Sequence, residues 1–396
     1  MKILHTSDWH IGRTFHGVDL LSDQEHVLTD IAALVAEHAV DVVVVPGDIY
    51  DRSIPSSNAV AVCDRGFQAI REAGAIIVAT SGNHDSATRL GAGSAFTALG
   101  GLHLVTKVST VGKPVVLSDE HGPVYFYGIP YLEPEITRAE LGVPEARSHT
   151  DILAAAMGRV RADLDDRGDD ARSVVLAHAF VVGAEATGSE RSISVGGVET
   201  VPASAFDGVD YVALGHLHSP QTLRENVRYS GSPLPYSFGE RSHRKAVLIV
   251  DLDANGLAAV QRVDLPEVRG LSQIEGTLDE LLTSEQFADA QEHYVSAILT
   301  DLKRPVDAMR ALQVRFPHAV HLEWRRPQAG AVLQYREKVR GRSDIEIMQS
   351  FLTDVHGEPT SAELEWMQQA LESTGRGTEA SAQTSRSSAG SEEMTA

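Results

Sequence analysis

The run Val42 to Val45 has no polar interruption, the pattern of a strand buried on both faces, and it breaks at Pro46-Gly47 to deliver the carboxylate of Asp48. Other apolar runs end in the same way. Lys2 to Ser7 leads into Asp8-Trp9-His10-Ile11-Gly12, Ala75 to Ser81 into Gly82-Asn83-His84-Asp85, and Val209 to Leu214 into Gly215-His216-Leu217-His218, while Val174 to Ala177 ends on His178. Open α/β sheets keep their ligand sites at the carboxyl ends of the strands, so the recurrence predicts one metal site at one sheet edge. Helical periodicity fills the gaps. Ser22 to His38 places Val27, Leu28, Ile31, Leu34 and Val35 on one face. Further helices are expected from about Ser56 to Ala73, Ala87 to Leu99 and Thr150 to Asp166. From Val105 to Ile129 the texture changes to short strands broken by Gly and Pro, as in a sheet with antiparallel character. The strands Val227 to Ser230 and Ala246 to Leu252 close the domain near Pro266. The expectation is an α/β domain over 1–266, two sheets packed face to face between helices in four layers, αββα.

A smaller unit follows over 267–327. Strands are expected at Arg269 to Gly276, Tyr294 to Leu299 and Ala319 to Trp324. Thr277 and Glu280 form a capping box for a helix to about Gln291, and Pro305 starts another to about Arg315. This β-α-β-α-β module has no His or Asp cluster, so it suits shaping a substrate better than chemistry. Beyond the Pro327-Gln-Ala-Gly-Ala331 linker, Ser343 to His356 and Thr360 to Ser373 read as amphipathic helices, with Ile345, Met348, Phe351, Leu352 and Val355 sharing a face of the first and Leu364, Met367 and Leu371 a face of the second. So small a pair needs a host for its apolar faces, either a partner or the main domain. The bias toward Ser, Gly, Thr and Ala over 373–396 reads as a disordered tail.

Composition narrows the class. The 396 residues are 42% hydrophobic and 22% charged, the balance of an ordinary globular protein. No apolar run approaches the roughly 20 residues of a spanning helix, and the N-terminus enters a strand directly, so a cytoplasmic protein with no membrane partner is expected. With Cys63 as the only cysteine, an intramolecular disulfide and a thiolate zinc site are excluded. The net charge of −21 argues against gripping nucleic acid by bulk charge. It does not exclude a local groove, and bound divalent cations reverse the potential where a phosphate would sit.

The ligand types set the chemistry. Asp8 and His10, two apart at a strand end, are expected to point to the same side and share an ion, and His216 and His218 repeat the arrangement. Asp48 can bridge two cations, Asn83 adds a neutral oxygen and His178 another imidazole. Carboxylate, amide and imidazole ligands without thiolate suit manganese, iron or zinc. Two such ions roughly 3.5–4 Å apart can activate a water and clamp a phosphoryl group. His84, expected to point away from the ions, could act on the leaving oxygen as a general acid oriented by Asp85.

The ordered set Asp8-x-His10, Gly47-Asp48, Gly82-Asn83-His84-Asp85, His178 and Gly215-His216-x-His218 resembles the calcineurin-like metallophosphoesterase superfamily over roughly Met1 to Leu265. His5-Thr-Ser-Asp8-Trp-His10-Ile-Gly12, Gly47-Asp48-Ile-Tyr-Asp51, Tyr229-Ser-Gly231-Ser-Pro233 and Ser237-Phe-Gly-Glu240 resemble its branch of bacterial DNA-repair nuclease subunits. The resemblance implies a metallophosphoesterase sandwich with a small capping domain and C-terminal helices that bind an SbcC-type ATPase. It implies two ions, manganese usually. One would be held by Asp8, His10, Asp48 and His218, the other by Asp48, Asn83, His178 and His216, with His84 catalytic. It also implies a homodimer formed through the helices near Ser56 to Ala73 and Ala87 to Leu99. The implied activity is ATP-dependent 3′ to 5′ exonuclease action on duplex DNA, single-strand endonuclease action and hairpin opening. No Gly-x-x-x-x-Gly-Lys-Ser/Thr stretch occurs, so ATP hydrolysis would fall to the partner. The rival readings are a metallophosphoesterase acting on cyclic nucleotides or phosphoproteins, and a DNA-end scaffold without catalysis.

Overall fold

The computed structural model describes residues 1–168, 170–186, 190, 200–325, 342–355 and 357–384. The chain divides into two compact units, the first comprising Met1–Gln273 with Asp289–Ser296 and His318–His321, the second Ile274–Ala288, Ala297–Pro317 and the described residues of Leu322–Ala396.

Strands β1 (Lys2–His5), β2 (Val42–Pro46), β3 (Ile76–Thr80) and β4 (Leu102–Val105) run parallel. Strands β5 (Val115–Asp119) and β6 (Gly122–Ile129) form an antiparallel hairpin, and β7 (Arg172–His178), β8 (Tyr211–Gly215), β9 (Gln221–Arg224) and β10 (Val227–Tyr229) follow. Strands β11 (Ala246–Asp253) and β12 (Gly256–Asp264) then return to pair antiparallel beside β1. The result is two six-stranded sheets, ordered β12-β11-β1-β2-β3-β4 and β9-β10-β8-β7-β6-β5.

The period of two along each strand explains the layers. Val42 and Val44 face the space between the sheets with Ile3, Val78, Phe126, Val174, Leu176, Tyr211 and Val250. Val43 and Val45 face outward onto helices α1 (Leu21–Glu37) and α2 (Ser57–Glu72), whose Val27, Leu28, Ile31, Val62 and Ile70 are buried there. On the other sheet Val175, Ala177, Val212 and Leu214 face outward, and Ile152, Ala156, Met157 and Val160 of the helix His149–Arg167 cover them. The four-layer αββα expectation holds, and the valine run is continuous because both of its faces are dry.

Several local expectations are revised. The helix expected at Ala87 to Leu99 is two short ones, Ala87–Leu90 and Ser94–Leu99, broken where Gly93 takes φ 74°. Phe96 and Leu99, 80% and 88% exposed, do not join the core. In the second part of the chain, Leu271–Gly276, Tyr294–Leu299 and Ala319–Trp324 form a three-stranded sheet in that order. The Thr277–Glu280 capping box forms, but its helix is only Leu278–Thr283, and the stretch Glu285–Glu292 is 3₁₀ rather than α. The C-terminal helices are Asp344–Val355 and Ser361–Thr384, the second running past Ser373 into the segment whose composition reads as tail. The Pro327 to Ala331 linker, His356 and residues 385–396 lie outside the described residues.

Candidate metal centre

Most of the site is built beyond the strand ends, His178 alone of the named residues being the last of its strand. β1 stops at His5, and both Asp8 (φ 54°) and His10 (φ 45°) take left-handed backbone, so a turn, rather than strand alternation, directs the pair toward the site. Asp48 (φ 49°) and His216 (φ 106°) are also left-handed. Such conformations cost on the order of 1–3 kcal/mol each and persist only where the surroundings over-determine them. Here the loops are laced together. The His10 amide donates to the Asp48 carbonyl (2.9 Å) and the Ile11 amide to the Ile49 carbonyl (2.9 Å). Gly82 admits the close approach, because a Cβ there would overlap the Asp48 carboxylate.

The ligand types named from the sequence converge at this rim. His10 Nε2 lies 3.1 Å from His218 Nε2 and 3.6 Å from Asp48 Oδ2. Asp8, His10 and His218 each offer an atom within 4.8 Å of the others, and so do Asp8, Asp48 and His178. His178 Nε2 is 3.4 Å from Asp48 Oδ2 and 2.8 Å from Asn83 Oδ1, while its Nδ1–H donates to the Pro46 carbonyl (3.0 Å). The His216 ring stacks edge-on to His178 with centroids 5.3 Å apart, and its backbone amide donates to Asp8 Oδ1 (2.9 Å). Asp8, His10, Asp48, His178, His216 and His218 are all buried.

Burial and mutual charge set the ionisation. Burial pushes the Asp8 carboxyl up to about 6, against the pull of His178 and His218. Burial would also raise Asp48, but His178 and His10 hold it well below the usual carboxylate range. Burial opposes charge on His178, yet Asp48 raises it to about 9, whereas desolvation and the neighbouring His178 lower His216 to about 3. The pocket is therefore a shared negative charge surrounded by imidazoles.

His84 and Asp85 depart from expectation. His84 does not point away. One of its ring nitrogens lies within 4.8 Å of ligand atoms of His10 and Asp48, and its ring is edge-on to His10 at 4.6 Å. Its orienting partner is the Asp51 carbonyl, which accepts from Nδ1–H at 2.8 Å. The Asp85 carboxylate instead accepts from the backbone amides of Gly82 (2.9 Å), Ile49 (3.1 Å) and Tyr50 (2.9 Å). It binds the two loops that carry Asp48 and Asn83, because a short carboxylate at a turn satisfies local amides first.

Ser7 and Glu240 lie in motifs that carry the resemblance, but nothing in the sequence assigns them a role. The Ser7 hydroxyl donates to Asp8 Oδ2 (2.6 Å). Buried Glu240 pairs with buried Lys245, and its Oε1 is 3.9 Å from His218 Nδ1. Burial alone would raise the Glu240 carboxyl, but His218 and Lys245 hold it below the carboxylate range.

The residues fit a pair of divalent cations. Two imidazole Nε2 atoms 3.1 Å apart can share only one proton between them, and buried His10 Nδ1 makes no hydrogen bond among the described residues, with Asp51 Oδ1 3.7 Å away. A cation among Asp8, His10 and His218 would engage both rings, which no proton arrangement achieves equally well.

Comparison with known proteins places the chain in a family. The model of the family described as calcineurin-like phosphoesterase matches residues 1–220, and that described as type 5 capsule protein repressor C-terminal domain matches 267–356. The chain belongs to the calcineurin-like phosphoesterase family, and its class is that of metal-dependent phosphoester hydrolases. Within that class it is 28% identical, over 90% of its length and 94% of the relative's, to the SbcD subunit of the SbcCD nuclease of Staphylococcus epidermidis. Among solved structures, the protein TT1561 of Thermus thermophilus is 13% identical with a TM-score of 0.41 and covers 67% of this chain and 99% of its own. A dimetal phosphatase from Danio rerio is 13% identical with a TM-score of 0.37 and covers 67% and 98%.

Among the described residues, no helix is long and apolar enough to cross a membrane.

Proposed function

We propose that this chain is the SbcD-type nuclease subunit of an SbcC–SbcD complex, a two-metal DNA phosphodiesterase acting in the cytoplasm in DNA repair, recombination and replication. The observation that carries the reading is the convergence of Asp8, His10, Asp48, His178 and His218 ligand atoms at one buried rim, with His84 beside them. Asp8, His10, Asp48 and His218 would hold one ion, and Asp48, Asn83, His178 and His216 the other, manganese in each case. When bound, such ions supply Lewis acidity for a water and neutralise charge on the phosphoryl oxygens. The chain's own work is to keep Asp48 ionised between the two positions and to exclude bulk water. His84 delivers a proton to the leaving oxygen, its ring fixed by the Asp51 carbonyl at Nδ1.

The similarity to the staphylococcal nuclease subunit along 90% of the chain favours DNA over a small phosphodiester. So does the matched C-terminal domain over 267–356. The 267–327 module would cap the substrate, and the helices Asp344–Val355 and Ser361–Thr384 would dock on the base of an SbcC-type coiled coil. Phe351 and Trp366, 54% and 73% exposed, supply apolar surface for that contact. Exposed Phe96 and Leu99 in the same way support a homodimer. ATP-dependent 3′ to 5′ duplex exonuclease and hairpin endonuclease activities complete the proposal. The test is a manganese-dependent assay of the chain co-purified with its ATPase on hairpin DNA, duplex DNA and cyclic nucleotides. Cleavage of DNA that is lost with His84→Ala is expected. Turnover of cyclic nucleotides alone would overturn the reading.

A further inference from the structure

The motifs Tyr229-Ser-Gly231-Ser-Pro233 and Ser237-Phe-Gly-Glu240 contain no metal ligand, yet they fold against one. Lys245 Nζ, buried in a pocket of polar groups, donates to the His218 carbonyl (2.8 Å) and to Ser232 Oγ (3.0 Å), and pairs with Glu240 Oε2. Glu240 Oε1 accepts from the Tyr236 amide (3.1 Å) and faces His218 Nδ1 at 3.9 Å. The side chains of His218, Glu240 and Lys245 are 1%, 0% and 7% exposed, so water does not complete these interactions. The other nitrogen of the same ring, His218 Nε2, is the one that meets His10.

We infer that Glu240, held by Lys245, is a positioning residue that keeps the proton of His218 on Nδ1 and thereby reserves Nε2 as a ligand atom. The inference rests on the two-metal reading above. Burying an ammonium and a carboxylate together is expensive, and replacing such a pair by apolar side chains is often neutral or stabilising. A pair placed behind a ligand ring instead has a use that apolar packing lacks, because a carboxylate at the far nitrogen fixes ring orientation and tautomer and raises ligand basicity. Lys245 grips the same residue twice, through the Glu240 carboxylate behind the ring and through the His218 carbonyl, so ring and backbone are located by one ammonium.

The experiment is a manganese titration of the metal-free full chain, followed by electron paramagnetic resonance of the free ion, with thermal unfolding of the metal-free protein in parallel. Glu240→Gln should leave one of the two ions bound as in the wild type and weaken the other by about 10- to 100-fold. Glu240→Gln also strands Lys245, so the double variant Glu240→Gln/Lys245→Met separates folding from positioning. It should restore the metal-free unfolding temperature and keep the weakened ion. Recovery of wild-type affinity in the double variant, or unchanged affinity in Glu240→Gln, would assign the pair a purely structural role and overturn the inference. Failure of the wild type to bind manganese at all would overturn the two-metal reading, and the positioning role with it.

Discussion

His5 and His10 sit close together in the chain and are equally buried, but their surroundings differ. His5 lies between the two sheets, where its Nε2–H donates to the Leu214 carbonyl (3.1 Å) and its Nδ1 accepts from the Tyr211 hydroxyl (2.9 Å). His10 lies at the rim, with Nδ1 making no hydrogen bond among the described residues and Nε2 opposite another imidazole. The first ring is complete and serves as a polar rivet in a dry interior. The second faces carboxylates and another ring at its two nitrogens, Asp51 Oδ1 at 3.7 Å from Nδ1 and Asp48 Oδ2 at 3.6 Å from Nε2. Burial alone therefore does not mark a functional histidine; what separates the two rings is the company they keep, a hydroxyl and a carbonyl for His5 and a second imidazole and Asp48 for His10.

The largest effect that would break this contrast is on turnover. His84→Ala should lower DNA cleavage by about 10²- to 10⁴-fold, the range for a lost general acid, while leaving manganese affinity nearly unchanged. An intact rate in steady-state assays of the complex would remove His84 from the chemistry. Next, His10→Gln should abolish binding of one manganese ion while His5→Gln leaves both bound, as read by calorimetric titration. Equal losses would mean that rim and interior do not differ as described.

Acid sensitivity sharpens the contrast from the other side. Burial depresses the His5 pKa from 6.5 to about 3, so its neutral ring contributes stability that is fully present above 6.5 and is lost as pH falls toward 3. Each unit of difference is worth about 1.4 kcal/mol as an upper bound. Denaturant unfolding from pH 7 to 4 should therefore show a steeper loss in wild type than in His5→Gln.

Smaller effects follow at the glycine and the cap. Gly82→Ala pushes a methyl group into the Asp48 carboxylate and should cost about 1–3 kcal/mol together with most metal affinity, measured by unfolding and titration. Ser56→Ala removes a hydroxyl that caps α2 through the Ala59 amide (3.1 Å) and should cost about 1 kcal/mol with activity retained.

Much of this was legible in the residues. The valine run, the amphipathic face of α1 and the Thr277 capping box all rest on local periodicity or on a local bond, and each forms where it was expected. The residue types of the rim were legible for a similar reason, since strand, small residue and ligand recur. The mechanism of their convergence was not. Left-handed backbone at Asp8, His10, Asp48 and His216 is enforced by bonds between loops far apart in sequence, and alternation along a strand cannot anticipate it. The same limit hid the Asp51 carbonyl behind His84 and the true partners of Asp85. The helix Pro134–Leu141 and strand β12 were missed because polar and exposed positions interrupt their periodicity.

The Asp85 carboxylate closes a joint between turns that follow neighbouring strands, taking amide protons from Ile49 and Tyr50 on one side and Gly82 on the other. Those turns carry Asp48 and His84 respectively. Neither can drift without dragging its neighbour, so the spacing between the group that would anchor the cations and the group that would protonate a leaving oxygen is inherited from the main chain itself.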